Sequence, residues 1–182
     1  MLKILATICI IGMATSSCTS KKASRTESSH EAEPELTMIV GTYTSGDSKG
    51  LYSFRFNEEN GTATALSEAE VENPSYLVPS ADGKFIYAVS EFSNDQAAAN
   101  AFAFNKEEGT FRLLNTQKTE GEDPCYIITN GSNVITANYS GGSISVFPID
   151  KDGSLLPAST VVKFKGSGAD TAPALCPHHT GR

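Results

Sequence analysis

The sequence predicts an all-β fold built from repeated four-stranded antiparallel units. Short runs rich in Val, Ile, Thr, Phe and Tyr alternate with turns that contain Gly, Asn or Asp, as in strands joined by tight turns. The 182 residues are 39% apolar, which is enough to bury a core over most of one domain. A formal net charge of −7, without a concentrated basic face, argues against nucleic acid as a partner.

One repeated pattern is an aromatic strand followed by an acidic turn that ends in Gly. Its three copies are the strands 51–56, 101–104 and 144–149, with turns that end at Gly61, Gly109 and Gly153. These glycines lie about 44 to 48 residues apart, which is close to the length of one four-stranded β-propeller blade.

A second pattern, Pro-x-Tyr followed by two apolar residues, starts at Pro74 and returns about 50 residues later at Pro124. The two patterns interleave in a constant order, which chance similarities rarely do. We predict a first blade over about 38–79, a second over about 84–129 and a third that starts at Asn133. Since a ring needs roughly four to eight blades, about three blades form an incomplete ring.

The strand 51–56 shows the alternation expected inside a blade. Tyr52, Phe54 and Phe56 share one face, and Ser53 and Arg55 share the other. We expect the aromatic face to pack on a neighbouring sheet. Arg55 is then expected to be a solvated edge charge rather than a ligand clamp.

The N-terminal residues 1–17 read as a signal peptide. A basic start is followed by the apolar stretch 4–13, which is too short to span a bilayer. The small residues before Cys18 resemble a lipobox, so Cys18 is the candidate for lipidation. Thr15 stands where a lipobox usually has Leu, and ordinary cleavage near Ser17 stays open as the alternative.

Residues 18–36 are rich in Ser, Lys, Glu and Ala without apolar periodicity, and we expect them to form a disordered tether. The signal predicts export to the cell envelope, either to the periplasm or as a membrane-anchored lipoprotein. Contact with the membrane is expected only through the lipid anchor. The sequence does not distinguish the side of the envelope.

Two cysteines lie beyond the signal and the lipidation candidate, at Cys125 and Cys176. They could pair in an oxidising compartment. The apolar run around Cys125 favours instead a buried, unpaired thiol that packs as a small hydrophobe. The chain has no CxxC and no spacing typical of metal ligands, and we expect no metal and no cofactor.

Five motifs together carry a family resemblance. They are VGTYT at 40–44, NPSY at 73–76, ADGKFIYAVSE at 81–91, ANY at 137–139 and GSISVFP at 142–148. In this order, over about 37–170, they resemble the N-terminal part of the lactonase family, seven-bladed β-propellers typified by 6-phosphogluconolactonase. The resemblance implies about three of seven blades, and hydrolysis of a sugar-acid lactone such as 6-phosphogluconolactone to the free acid.

Members of this family carry a Pro-His-x-His motif, and this chain has Pro177, His178 and His179 in a similar place. Pro177 lies about 53 residues after Pro124, so His178 falls on the repeat position of Cys125. The resemblance makes His178 the catalytic candidate, as general base or as donor to the lactone oxygen. His179 lies one residue before the position of the motif's second histidine. It is a substrate-binding candidate.

The alternative is that both histidines belong to a divergent tail, 171–182. This segment has no strand alternation, and the family pattern is lost after Asp170, which is consistent with a frameshift or an early stop. The domain with family character is then 37–170.

Further candidates for substrate binding stand near the ends of the expected innermost strands: Tyr43, Glu91, Asn138 and Tyr139. Alternatively, Glu91 caps a turn, and Asn138 and Tyr139 have a structural role in the turn that follows them. No phosphate clamp is evident, because the arginines lie in the tether, in or beside strands, or at the C-terminus. We therefore expect the chain to be inactive on its own.

Three functions compete at this point. The first is a lactonase that acts on a small sugar lactone once the ring is complete. The second is an exported, non-enzymatic propeller that serves as a binding module. The third is an inactive remnant of a truncated gene, whose open blade edges would favour self-assembly or aggregation.

Overall fold

The computed structural model describes residues 35–166, and the predictions above for residues 1–34 and 167–182 lie outside this part. The described residues form three antiparallel sheets. The first contains β1 (Glu35–Gly41), β2 (Gly50–Asn57) and β3 (Ala63–Glu70). The second contains β4 (Leu77–Pro79), β5 (Phe85–Ser90), β6 (Ala98–Asn105) and β7 (Thr110–Lys118). The third contains β8 (Pro124–Thr129), β9 (Asn133–Asn138), β10 (Ser143–Pro148) and β11 (Thr160–Lys163).

Each sheet is a meander in which consecutive strands pair in chain order. The second and third sheets have the four antiparallel strands of a propeller blade, which confirms the predicted fold class. No helix of the described residues is long and apolar enough to cross a membrane.

The predicted blade boundaries are wrong by one strand. The segment after Pro74 forms β4, and β4 pairs with β5, with Leu77 opposite Ala88. It is therefore the first strand of the second sheet and not the last strand of the first. In the same way β8 opens the third sheet, which starts at Pro124 rather than at Asn133. A repeat gives the period of a blade, but it does not show which strand comes first.

Neighbouring sheets contact each other along corresponding strands. The first strands of the second and third sheets, β4 and β8, lie against each other, and β3 contacts β7 at the opposite edge. The first sheet has no strand that corresponds to β4 and β8 within the described residues. In a propeller the first strands surround the central channel, so β4 and β8 form the channel edge of this part of the ring.

The core lies between the sheets and is centred on β5, which is buried on both faces. Tyr87 and Val89 pack toward the third sheet, and Ile86 and Ala88 pack toward the first. This burial explains the continuous apolar run of β5. The cluster facing the third sheet consists of Tyr87, Val89, Ala99, Ala101, Ile127, Val134, Phe147 and Leu155.

The face of β2 that packs on the second sheet is the one that contains Ser53. Ser53 is buried, whereas Phe54 is only partly buried. The Ser53 hydroxyl donates to the Gly109 carbonyl at 2.6 Å, and Arg55 Nη2 donates to the Glu107 carbonyl at 2.8 Å. Arg55 thus also holds the turn between β6 and β7. The aromatic face of β2 has no neighbouring sheet within the described residues.

Replacing Ser53 by Ala is expected to lower the free energy of unfolding by about 1–3 kcal/mol, because the buried Gly109 carbonyl loses its donor. Urea denaturation followed by circular dichroism measures the change. Ser45→Ala, in an exposed loop, is the matched control and should shift stability by less than about 0.5 kcal/mol. Equal stability of the two variants would show that this contact does not fasten the sheets together.

Candidate functional site

The loops at one end of the three sheets carry most of the predicted site residues. Because strand direction alternates in a meander, the loops that follow β1, β3, β5, β7 and β9 all lie at this end, here called the loop end. Hydrogen bonds join them across sheets. Thr44 N donates to Asn73 Oδ1 at 3.1 Å, and Asp123 N donates to the Phe92 carbonyl at 2.8 Å.

Glu91, directly after β5, is the centre of a hydroxyl–carboxylate cluster. The Tyr43 hydroxyl donates to Glu91 Oε2 at 3.0 Å, and the Ser75 hydroxyl donates to the same oxygen. Glu91 and Ser75 are partly buried, whereas Tyr43 is 57% exposed. Both hydroxyls reach Oε2, so neither of them occupies Oε1. The two hydroxyls thus fix the position of the carboxylate.

Asn73 holds this cluster together. Its side-chain Oδ1 accepts from the backbone N and the hydroxyl of Thr44, both at 3.1 Å. Its Nδ2 donates to the Glu91 carbonyl at 3.3 Å, and its own carbonyl accepts from Glu91 N at 3.0 Å. Asn73 has a φ of 48°, in the left-handed region that Asn tolerates better than most residues. The residue thereby links the Tyr43 loop to Glu91.

The next repeat has a related geometry with different side chains. Asp123 has a φ of 51°, and its carbonyl accepts from Tyr139 N at 2.8 Å. Tyr139 therefore corresponds to Glu91, and Cys125 corresponds to Ser75. The carboxylate cluster occurs in only one of these two repeats, so it is not a requirement of the blade.

The pKa of Tyr43 is raised above its ordinary value. The main cause is partial desolvation of the phenol, followed by the hydrogen bond to Glu91 and the charge of Glu91. Tyr43 thus stays a hydrogen-bond donor throughout the neutral range.

This raised pKa predicts a pH dependence of stability. The folded state favours the protonated phenol, so its contribution is complete below about pH 10 and is lost as pH rises through the folded pKa. We expect the free energy of unfolding to fall more steeply above pH 10 in the wild type than in Tyr43→Phe. Urea titrations at several pH values between 8 and 11 measure this difference. Parallel pH curves for the two proteins would contradict the assignment.

Cys125 is exposed, so the expectation that it is a buried thiol is wrong. The strand register shifts between Pro124 and Tyr126, and this irregularity leaves Cys125 and Tyr126 exposed while Ile127 is buried. Sequence alternation could not show this, because one irregular position changes which residues face inward.

Two tyrosines lie side by side on the channel edge. The ring centroids of Tyr76 and Tyr126 are 4.8 Å apart with planes tilted by 53°, and the residues are 43% and 42% exposed. Both occupy the Tyr position of the Pro-x-Tyr repeat. The repeat thus places equivalent aromatic rings on adjacent sheets.

The other predicted site residues have different positions. Asn138 is 2% exposed and is bonded to Thr136, Ser143 and Ser145, so it stabilises the third sheet and is not part of the Glu91 cluster. Tyr139 is exposed at the loop end. The candidates His178, His179 and Cys18 lie outside the described residues.

Sequence reasoning missed Asn73 and Ser75 as members of the cluster. A signal was nevertheless present, because Ser75 occupies the repeat position that had been assigned to His178. The described residues contain no group of three or more His, Cys, Asp or Glu side chains placed to hold a metal.

The loop end is acidic between β1 and β8. The acidic residues there are Asp47, Glu70, Glu72, Glu91, Asp95, Glu120, Glu122 and Asp123. The lysines of this region are Lys49, which pairs with Glu70 at 2.7 Å, and Lys118, which lies 3.9 Å from Asp95. This part of the surface thus has a negative balance.

Comparisons with known proteins agree with this fold. The model of a family described as lactonases with a seven-bladed β-propeller matches residues 37–181. A 6-phosphogluconolactonase of Bacillus subtilis is 36% identical over 135 residues, which are 71% of this chain and 38% of that protein. The solved structure of a candidate 6-phosphogluconolactonase from Bacteroides fragilis is 71% identical with a TM-score of 0.75, over 76% of this chain and 39% of that one.

A third similar protein is the periplasmic gluconolactonase PpgL of Pseudomonas aeruginosa, at 28% identity and a TM-score of 0.65. The match covers 71% of this chain and 39% of that one. The chain spans about two-fifths of the length of these relatives. Three sheets, two of them with all four strands of a blade, agree with that share of a seven-bladed ring. The chain belongs to the lactonase family of seven-bladed β-propellers.

Proposed function

We propose that this chain supplies the Glu91 part of the active site of a lactone hydrolase, which converts a sugar-acid lactone such as 6-phosphogluconolactone to the free acid. The observation that carries the proposal is the convergence of the Tyr43 and Ser75 hydroxyls on one carboxylate at the loop end. Membership of the lactonase family, with relatives named as 6-phosphogluconolactonases, supports this chemistry.

The cluster provides groups that lactone opening requires. A base must take a proton from the attacking water, and a donor must stabilise the oxygen that gains negative charge. Glu91 accepts a proton from the water molecule while the oxygen of that water bonds to the carbonyl carbon of the lactone. Tyr43 is exposed, and once Glu91 holds the water proton the Tyr43 hydroxyl can turn from Glu91 and donate to the carbonyl oxygen. The ring C–O bond then breaks, and the leaving oxygen takes a proton.

Other parts of the protein complete the site in this proposal. His178 is our candidate for the group that protonates the leaving oxygen, on the resemblance to the family motif. The lysines of the loop end between β1 and β8 are paired with acids, so a substrate phosphate would be bound by residues elsewhere. We also propose that residues 1–17 direct export and that Cys18 is lipidated. These assignments rest on the sequence pattern.

The test is hydrolysis of gluconolactone and 6-phosphogluconolactone, followed by acid release with a pH indicator against the spontaneous rate. Two proteins are compared: the 182-residue chain, and a ring completed with the remaining blades of the Bacteroides fragilis relative. We expect turnover by the completed ring and a rate near the spontaneous one for the chain alone. A folded, completed ring without turnover of either lactone would contradict the proposal and favour a binding module.

A further inference from the structure

The Tyr76–Tyr126 pair is not explained by the core or by the Glu91 cluster. Ile127, the neighbour of Tyr126, fills the space between the sheets, while both tyrosine rings stay about two-fifths exposed. The structure shows no hydrogen bond from either tyrosine hydroxyl within the described residues. Two adjacent rings therefore present apolar surface and polar tips at the channel edge. This combination suits a partner that is itself both apolar and polar.

The pair borders the proposed catalytic carboxylate. Tyr76 directly follows Ser75, which donates to Glu91. The Tyr76 carbonyl accepts from Val89 N at 3.0 Å, two residues before Glu91. Tyr126 contacts Tyr76 directly, with ring centroids 4.8 Å apart. Tyr76 is thus next to the Glu91 cluster, and Tyr126 extends the same surface through its contact with Tyr76.

We infer that Tyr76 and Tyr126 form the surface on which the ring of an uncharged sugar lactone lies, with its carbonyl toward Glu91. The C–H groups of a sugar ring give it an apolar face that packs on aromatic rings, and its hydroxyls meet the polar tips. This inference rests on the proposed function, since it names the substrate class and the subsite of the same site.

The negative charge of the loop end is the reason to infer an uncharged ligand. Between β1 and β8 this end carries eight acidic residues, and both of its lysines already pair with two of them. A phosphate placed on the tyrosine surface would therefore meet a negative field. An uncharged lactone ring does not incur this repulsion.

Saturation-transfer NMR with gluconolactam, an uncharged analogue that resists hydrolysis, tests the inference on the 182-residue chain and on the completed ring. We expect saturation of the ring C–H protons. Tyr76→Ala and Tyr126→Ala should weaken binding at least fivefold, whereas Tyr76→Phe and Tyr126→Phe, which keep the apolar face and lose the hydroxyl contact, should weaken it only about twofold. Phe164→Ala removes another exposed aromatic ring, on the outer strand side of the third sheet, and is the matched control. Backbone NMR spectra report whether each variant folds.

The outcomes separate this inference from the proposed function. Equal lactam binding by the wild type and folded Tyr76→Ala, or no binding to either protein, would overturn the tyrosine surface even if hydrolysis is found. Lactam binding that depends on the tyrosines, without lactone hydrolysis, would support the surface and contradict the hydrolase. Glucose 6-phosphate should bind at least tenfold more weakly than the lactam, and equal or tighter binding would overturn the preference for an uncharged ring.

Discussion

Glu91→Gln is expected to lower kcat/KM for lactone hydrolysis by the completed ring at least about 100-fold, the usual effect of losing a general base. The amide keeps the size of the carboxylate, and its oxygen can still accept from Tyr43 and Ser75. It cannot take a proton from water. KM should therefore change little while kcat falls.

Matched variants test whether the loss of kcat comes from removing the general base. Glu72→Gln removes an exposed carboxylate from the neighbouring loop and should leave kcat within about twofold. Tyr43→Phe keeps the ring but removes a donor, and we expect about a 10-fold to 100-fold loss. More than a tenth of wild-type kcat in Glu91→Gln, with the fold intact, would show that another group takes the proton.

The sequence predicted the architecture through its repeats, but not the order of strands within a sheet. Pro74 and Pro124 mark the same point in successive units. Whether that point ends one sheet or starts the next depends on pairing between β4 and β5, a tertiary contact that local pattern does not contain. The period was therefore predictable and the boundary was not.

The site was predictable to a similar extent. Tyr43 and Glu91 were identified individually, but they belong to different sheets, and their contact depends on how the loops meet. Asn73 acts through a left-handed backbone conformation that the residue type permits but does not reveal. Asn138 shows the converse case. Its polar side chain at a strand end suggested a ligand contact, and the neighbouring hydroxyls bond it inside the sheet.

The faces of β2 show what sequence alternation leaves out. The aromatic face was expected to pack on a neighbouring sheet, and the face that packs on the second sheet contains Ser53. A small hydroxyl fits between closely packed sheets when a carbonyl of the next sheet accepts its proton, as Gly109 does. Hydrophobicity alone therefore does not identify a face that a polar contact joins to the neighbouring sheet.

Phe147→Ala is expected to lower the free energy of unfolding by about 3–5 kcal/mol, which for a domain of this size is a large part of its stability. Phe147 is 0% exposed and packs with Tyr87, Val134 and Leu155 between the second and third sheets. Removing the ring leaves a cavity that rigid strands on both sides can fill only in part. Urea denaturation of the 182-residue chain measures the change.

Phe164→Ala is the control that tests whether the loss of stability comes from burial of the ring or from the residue type. Phe164 is 63% exposed, so the same truncation should cost less than about 0.5 kcal/mol. If Phe147→Ala cost less than about 1 kcal/mol, the second and third sheets would not share the packed core that the structure shows. The Glu91 cluster depends on this core, because Tyr87 and Val89 of the same β5 strand fix the strand from which Glu91 projects. Loosening the core should therefore also lower lactone turnover by the completed ring, beyond what the loss of folded protein explains.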